Sequence, residues 1–267
     1  MYTIRQPAVA GTFYPRRKEI LATTVDSLLA TVPNYRADGL PKAIVVPHAG
    51  YVYSGQTAAA AYALLRTGHA TIRRVVLLGP VHRVPVRGLA LPGVDALATP
   101  LGDIELDLAA IAQIAALRQV VVSPAAHAQE HSLEVQLPFL QTVLADFKIV
   151  PLAVGDATPT EVAEVLEKLW GGAETLIVVS SDLSHFLPYR AAQHADRDTA
   201  EDILNLKSTL THAQACGGTP LNGLLLAAKQ RHLRPQLLAQ CNSGDTAGDR
   251  ERVVGYGSFA FNEEAHH

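Results

Sequence analysis

The sequence contains few of the residues that cross-link or anchor a protein. Its 267 residues include only two cysteines, Cys216 and Cys241, which excludes the dense disulfide framework of small secreted domains and suits a reducing cytoplasm. No apolar run reaches the roughly 18 residues that a membrane-spanning helix needs, and residues 1–7 lack the apolar stretch of a signal peptide. We therefore expect a cytoplasmic protein that makes no use of a membrane.

Several signatures of common functions are also missing. The formal net charge is −3, with no basic stripe, which argues against nucleic acid as the main partner. Neither G-x-G-x-x-G nor G-x-x-x-x-G-K-[ST] occurs, so a nucleotide cofactor is disfavoured. A G-x-S-x-G elbow is absent as well, which disfavours a serine hydrolase.

What the chain does contain is the pattern of an α/β protein. Hydrophobic residues make up 48% of it and charged residues 18%, as in globular domains. Apolar strands alternate with helical segments, without repeats or low-complexity linkers, so we predict one domain over residues 1–267 with a mainly parallel mixed sheet flanked by helices.

Helices are predicted over 16–31, over 55–65 with Ser54 as N-cap, over 158–169 with Thr158 as N-cap and over 220–230 with Thr219 as N-cap. A hairpin is expected within 96–106 and a loop over 33–41.

Three apolar strands each lead to a histidine. Ala43–Val46 precedes His48, residues 74–78 precede His82, and residues 175–179 precede Asp182 and His185. The continuous apolar runs indicate strands buried on both faces. If the strands are parallel, their carboxyl ends meet at one edge of the sheet, where α/β proteins bind ligands. Because imidazole is both a metal ligand and an acid/base group, this clustering predicts a functional site.

The residues themselves leave the chemistry of that site open. A metal site could use His48, His82 and Cys241, a mixed imidazole and thiolate set that suits copper, zinc or iron better than magnesium or calcium. A buried, inert Cys241 is the alternative, although the turn Asn242–Asp245 after it favours partial exposure. Cys216 is interpreted as structural.

Acid/base chemistry has two candidate groups. Asp182 and His185, three residues apart, could share one turn in which the carboxylate orients the imidazole. Glu130, His131 and Glu134 form a second group, which is not the H-E-x-x-H zinc motif because it contains one histidine. The alternative is a solvated helix start in which Glu130 complements the helix dipole.

Several motifs together resemble the Memo family, known in microbes as AmmeMemoRadiSam system protein B. They span residues 5–261 and read R-Q-P-A-V-A-G-T-F-Y-P, V-P-H-A-G-Y-V-Y-S-G, L-L-G-P-V-H, E-H-S-L-E-V-Q-L-P-F, S-S-D-L-S-H and C-N-S-G-D with V-G-Y-G-S. The resemblance implies a fold similar to that of class III extradiol dioxygenases, the LigB-like enzymes that use non-haem iron.

The resemblance also implies roles for individual residues. His48, His82 and Cys241 would bind iron or copper, His185 would be the catalytic base beside the acidic Asp182, and the cleft would be lined or supported by His131, Glu134 and Tyr53. The dioxygenases use a glutamate where Cys241 is expected here. A thiolate changes the charge and softness of the site and makes it oxidisable, so extradiol cleavage is not the expected reaction.

Two functions follow as hypotheses. The first is a metal-dependent oxidoreductase. The second is a non-catalytic module that binds a peptide or a small anion in the same cleft. For either, the family name in microbes implies a radical-SAM protein and an AMMECR-domain protein as partners.

Overall fold

Strands with both faces buried form the centre of the molecule. In the computed structural model, which describes residues 2–32 and 39–263, β2 (Ala43–Val46), β9 (Thr175–Ser180), β3 (Arg74–Pro80) and β8 (Lys148–Val154) are parallel neighbours in that order. Alternate side chains of β2 enter separate hydrophobic cores on the two sides of the sheet. This two-sided burial is why the strands are continuous apolar runs rather than alternating ones.

The sheet continues beyond these four strands in both directions. Among the described residues it has nine strands, with antiparallel additions at β12 and at β4. The outer strands are β4 (Leu89–Leu91), β7 (Val120–Val122), β10 (His185–Leu187), β11 (Arg234–Asn242) and β12 (Val253–Asn262). A second, three-stranded sheet in the described part of the chain consists of β1 (Ile4–Arg5), β5 (Ala96–Thr99) and β6 (Gly102–Glu105). The fold is thus the predicted α/β domain, and β5 and β6 form the predicted hairpin.

Helices cover both faces of the main sheet. They are α1 (Lys18–Ala30), α2 (Tyr51–Tyr62), α3 (Leu108–Ile114), α4 (Pro124–Ala128), α5 (Leu137–Val143), α6 (Pro159–Leu169), α7 (Tyr189–Leu204) and α8 (Gly218–Gln230), with short 3₁₀ turns at Ala63–Gly68, Glu134–Gln136 and Ser243–Asp245. Residues of α6, α7 and α8 join one core, and residues of α1, α2 and α5 join the other. No helix among these is long and apolar enough to cross a membrane.

Helix starts were predicted with mixed success. Thr158 caps α6 in a capping box with Glu161, as expected. The prediction was wrong for Ser54, because α2 begins at Tyr51 and the Ser54 hydroxyl donates back to the carbonyl of Ala49. It was also wrong for Thr219, since Gly217 occupies the N-cap of α8. Most of the loop predicted over 33–41 lies outside the described residues.

Candidate metal centre

Histidines from separate parts of the chain meet at the carboxyl edge of the central strands. His48 and His82 each follow a strand by two residues, and β2 and β3 are both parallel neighbours of β9. His131 arrives from the segment between α4 and α5. The next residue holds that segment at the sheet edge, because Ser132 Oγ donates to the carbonyl of Pro80 at 2.8 Å while Ser180 Oγ donates to the carbonyl of Ser132 at 2.6 Å.

The three imidazoles form a compact group. Ring centroids are 5.2 Å apart for His48 and His82, 5.4 Å for His48 and His131, and 4.6 Å for His82 and His131. One potential ligand atom from each residue lies within 4.8 Å of the others. His48 is buried, His131 is half-buried and His82 is exposed, so the group opens to solvent at His82. Neutral imidazoles in this arrangement suit zinc, copper, iron or nickel.

Hydrogen bonds fix the direction of the His48 ring. Ser180 Oγ has one proton, which goes to the Ser132 carbonyl, and it accepts the amide of Gln136 at 2.8 Å. The contact of 2.9 Å between Ser180 Oγ and His48 Nδ1 must therefore use the proton of the ring nitrogen. As a result, the lone pair of His48 is on Nε2, which is the nitrogen left to bind an ion.

Glu130 orients the other two rings. Its Oε1 accepts from His82 Nδ1 at 2.8 Å and lies 3.4 Å from His131 Nδ1, and the carboxylate also accepts the backbone N–H groups of His82, His131 and Ser132. Burial alone would raise the pKa of Glu130, but the hydrogen bond and charge of His82, with the backbone donors, lower that pKa to about 2. A carboxylate in contact with the second nitrogen of a ligating histidine is the usual outer shell of protein metal sites.

Burial keeps His48 and His131 in the form that binds metals. It lowers the pKa of His48 well below its ordinary value, and the neighbouring imidazoles His131 and His82 lower it further. Burial and the charge of His82 likewise lower the pKa of His131 to about 4. Both rings are therefore neutral near pH 7, and a neutral imidazole is what a metal ion requires.

Asp182 and His185 lie at the same edge but do not bond to each other. Asp182 Oδ1 accepts the backbone N–H of His48 at 2.7 Å, so this carboxylate holds the loop that carries His48. Burial raises the pKa of Asp182 to about 7 despite hydrogen bonds from the backbone of His48 and Ala49. His185 Nδ1 donates instead to the carbonyl of Leu183 at 2.9 Å, and burial lowers the pKa of His185.

Comparison with known proteins identifies the chain. A family model described as Memo-like protein matches residues 5–260. A MEMO1 family protein of Aquifex aeolicus is 37% identical over 97% of this chain and 99% of its own length, and one of Archaeoglobus fulgidus is 35% identical over 97% and 99%. The chain belongs to the Memo-like protein family. Among solved structures, an uncharacterized protein of Escherichia coli K12, JW3007, shares the fold with a TM-score of 0.51 and 13% identity, over 82% of this chain and 99% of that one.

In this Memo-like chain, the two predicted cleft residues of the E-H-S-L-E motif have separate positions. His131 joins the histidine group, whereas Glu134 lies behind it. The buried Glu134 carboxylate accepts hydrogen bonds from the N-terminal segment, namely from Arg5, the backbone N–H groups of Ala8 and Val9, and the hydroxyl of Tyr14. Glu134 therefore holds that segment in place, and its role as a cleft residue stays a prediction.

Aromatic residues form a wall beside the histidines. Phe13 of the N-terminal segment packs on His131 with ring centroids 4.6 Å apart. Beyond it is a cavity of about 510 Å³ whose lining includes Phe13, Tyr51 and the predicted cleft residue Tyr53. Tyr53 thus lines a cavity that adjoins the histidine group through Phe13.

The structure separates the two cysteines. Cys241 is not part of the three-histidine group; its Sγ lies 3.1 Å from Thr57 Oγ1, and a ligand role for it stays a prediction. Cys216 Sγ instead lies 3.2 Å from His48 Nε2. Sequence reasoning interpreted Cys216 as structural and left Glu130 between an acid/base role and a solvated helix start, so it did not predict that either residue contacts His48 or His82. The signals available were the A-C-G-G turn before a helix and the placement of Glu130 next to His131, neither of which specifies a contact with His48 or His82.

Proposed function

We propose that this Memo-like protein binds one redox-active transition-metal ion, iron or copper, at His48, His82 and His131 and acts as a metal-dependent oxidoreductase. One observation carries the proposal: three imidazoles converge so that one nitrogen of each lies within 4.8 Å of the others, and Nδ1 of His48 bonds to Ser180 while Nδ1 of His82 bonds to Glu130, which leaves Nε2 of these two rings for an ion. Bound iron or copper would supply one-electron and oxygen chemistry.

The chain's own residues supply binding and proton transfer. Glu130 would hold the rings of His82 and His131, and Asp182 would hold the His48 loop. His185 would be the proton acceptor, because its Nδ1 proton is used by the Leu183 carbonyl and the lone pair of the neutral ring is on Nε2. Substrate would enter at His82, the exposed member of the group.

The test begins with protein purified without a metal-affinity column. Elemental analysis should find close to one equivalent of iron or copper, and the variant with His48→Ala and His82→Ala should bind neither metal tightly. Metal-loaded protein given a reductant should consume oxygen, and His185→Ala should slow that reaction without lowering metal content. Wild-type protein without metal affinity, or a double variant that binds as tightly as wild type, would contradict the proposal.

The cavity of about 510 Å³ favours a second candidate function, a binding module for a peptide or small molecule. Its aromatic wall meets the histidine group through Phe13 and His131. In this version the partners would be a radical-SAM protein and an AMMECR-domain protein. The test is a pull-down of the radical-SAM partner. Binding is favoured over catalysis if Tyr53→Ala weakens the pull-down and the double variant His48→Ala, His82→Ala leaves it unchanged. Failure to turn over any member of a panel of catechols would also favour binding.

A further inference from the structure

Lys42 is a buried lysine at the edge of the sheet opposite the histidines. It immediately precedes β2, and only 5% of its surface is exposed. Burial lowers the pKa of its ammonium group, because a charge that leaves water is unfavourable unless other groups replace that water. The partners of this ammonium in the structure are backbone carbonyls and an aromatic ring rather than carboxylates.

Four backbone carbonyls contact the ammonium nitrogen. Lys42 Nζ lies 2.5 Å from the oxygen of Trp170, 2.8 Å from that of Gly172, 3.0 Å from that of Thr175 and 3.4 Å from that of Gly171. The Trp170 ring is also close, with its centroid 5.5 Å from Nζ, which is within cation–π range. An ammonium group has three protons, so four oxygens exceed the hydrogen bonds it can donate singly. The arrangement is that of oxygens around a spherical cation.

The backbone that follows α6 supplies three of these oxygens. The helix ends at Leu169, and the last carbonyls of a helix lack partners within it and carry partial negative charge. Gly171 then turns the chain with a φ of 58°, and a Cβ atom there would lie 2.3 Å from Thr175 Oγ1 and 2.5 Å from Glu174 Oε1. Glycine at this position therefore lets three successive carbonyls contact one nitrogen. The fourth oxygen comes from Thr175, the first residue of β9.

These contacts differ from those of an ordinary helix cap. A lysine often bonds to the last carbonyls of a helix from an exposed position. Here the nitrogen is buried, and one of the four oxygens belongs to a separate strand. Backbone carbonyls that replace the water around a potassium ion are the means by which potassium channels hold that ion. Ammonium and potassium ions are similar in size, so the same oxygens suit either.

We propose that the carbonyls of Trp170, Gly171, Gly172 and Thr175 form a site for a monovalent cation of ammonium or potassium size, which this chain fills with its own Lys42. The bound charge fastens the loop between α6 and β9 to the start of β2. The site lies at the opposite ends of the strands from the histidine group, so it is independent of the proposed metal chemistry.

The test removes the lysine side chain and offers the site an ion from solution. In tetramethylammonium chloride, whose cation is too large for the space, the thermal unfolding midpoint of Lys42→Ala should be roughly 10 °C below that of the wild type. Potassium or ammonium chloride at the same ionic strength should restore about half of that loss or more, because an ion that binds only the folded chain stabilises it. Trp170 is the only tryptophan, so its fluorescence should change over the same range of ion concentration.

Lys42→Met is the matched control. It removes the same charge, but its long side chain fills the space beside the carbonyls, so potassium and ammonium should not restore its midpoint. The wild type should show no difference between the three salts. Equal responses of Lys42→Ala and Lys42→Met to potassium, or no response in either, would overturn the proposal.

The wild-type protein decides if Lys42→Ala does not fold in any salt. In protein labelled with ¹⁵N-lysine, the ammonium protons of Lys42 should exchange slowly with water and show nuclear Overhauser contacts to the Trp170 indole. Exchange as fast as that of an exposed lysine such as Lys168 would show that the carbonyls do not enclose the ammonium, which also overturns the proposal.

Discussion

At the scale of single residues, the Glu130 carboxylate links two of the clustered histidines. It contacts Nδ1 of His82 and of His131 and is itself buried. Because a carboxylate accepts hydrogen bonds, Nδ1 of His82 carries a proton, and the lone pair of the neutral His82 tautomer is on Nε2. The sequence alone left Glu130 between an acid/base role and a solvated helix start, and burial beneath two imidazoles decides against the solvated position.

We predict that Glu130→Gln weakens metal binding by about 10- to 100-fold, the range typical of lost partners of ligating histidines. The amide keeps the size of the side chain but loses the charge that holds both rings. Affinity would be measured by competition for Co²⁺ with a chelator. The control is Glu167→Gln, an exposed acid paired with Arg231. Equal affinities for the two variants would contradict the role assigned to Glu130.

At the scale of elements, the N-terminal segment over residues 4–14, called the strap below, is fastened to Glu134 by hydrogen bonds. It begins with β1, which pairs with β5. Arg5 of β1 and the backbone N–H groups of Ala8 and Val9 all donate to the Glu134 carboxylate. The strap places Phe13 on the His131 ring. The sequence gives no local signal for this arrangement, because two strand residues and a set of contacts to one distant carboxylate leave no periodic pattern.

Glu134→Gln is expected to destabilise the protein by about 3–5 kcal/mol, since it leaves the Arg5 guanidinium partly buried without its carboxylate. Chemical denaturation would measure the free energy of unfolding. Glu167→Gln, which breaks an exposed ion pair, should remain within about 1 kcal/mol of the wild type. A small effect of Glu134→Gln would show that the strap is held mainly by β1.

At the scale of the whole molecule, the three-histidine group joins distant parts of the chain. His48 and His82 follow different strands, and His131 comes from a loop that crosses over the sheet edge. An ion that binds this group binds only the folded chain, so it stabilises the fold by mass action.

Added Co²⁺ should therefore raise the thermal unfolding midpoint reversibly, with a gain of about 2.7 kcal/mol when its free concentration is a hundred times Kd. A chelator should reverse the shift. His82→Ala is the matched variant, because the exposed His82 side chain can be removed with little loss of packing. An equal shift in that variant would place the ion elsewhere.

The sequence by itself determined the α/β class, the buried parallel strands and the edge at which His48 and His82 meet, because apolar runs and strand ends are local features. It also carried the family resemblance through its motifs. Helix starts were less certain, as Ser54 and Thr219 show, since serine and threonine also bond within the first turn of a helix. The resemblance alone pointed to His131 in the cleft, and only the tertiary structure brought Glu130 and Cys216 to that edge and His131 against His48 and His82. Their positions depend on loops held to distant strands by Ser132, Ser181 and Gly217, and such long-range contacts have no signature in local sequence.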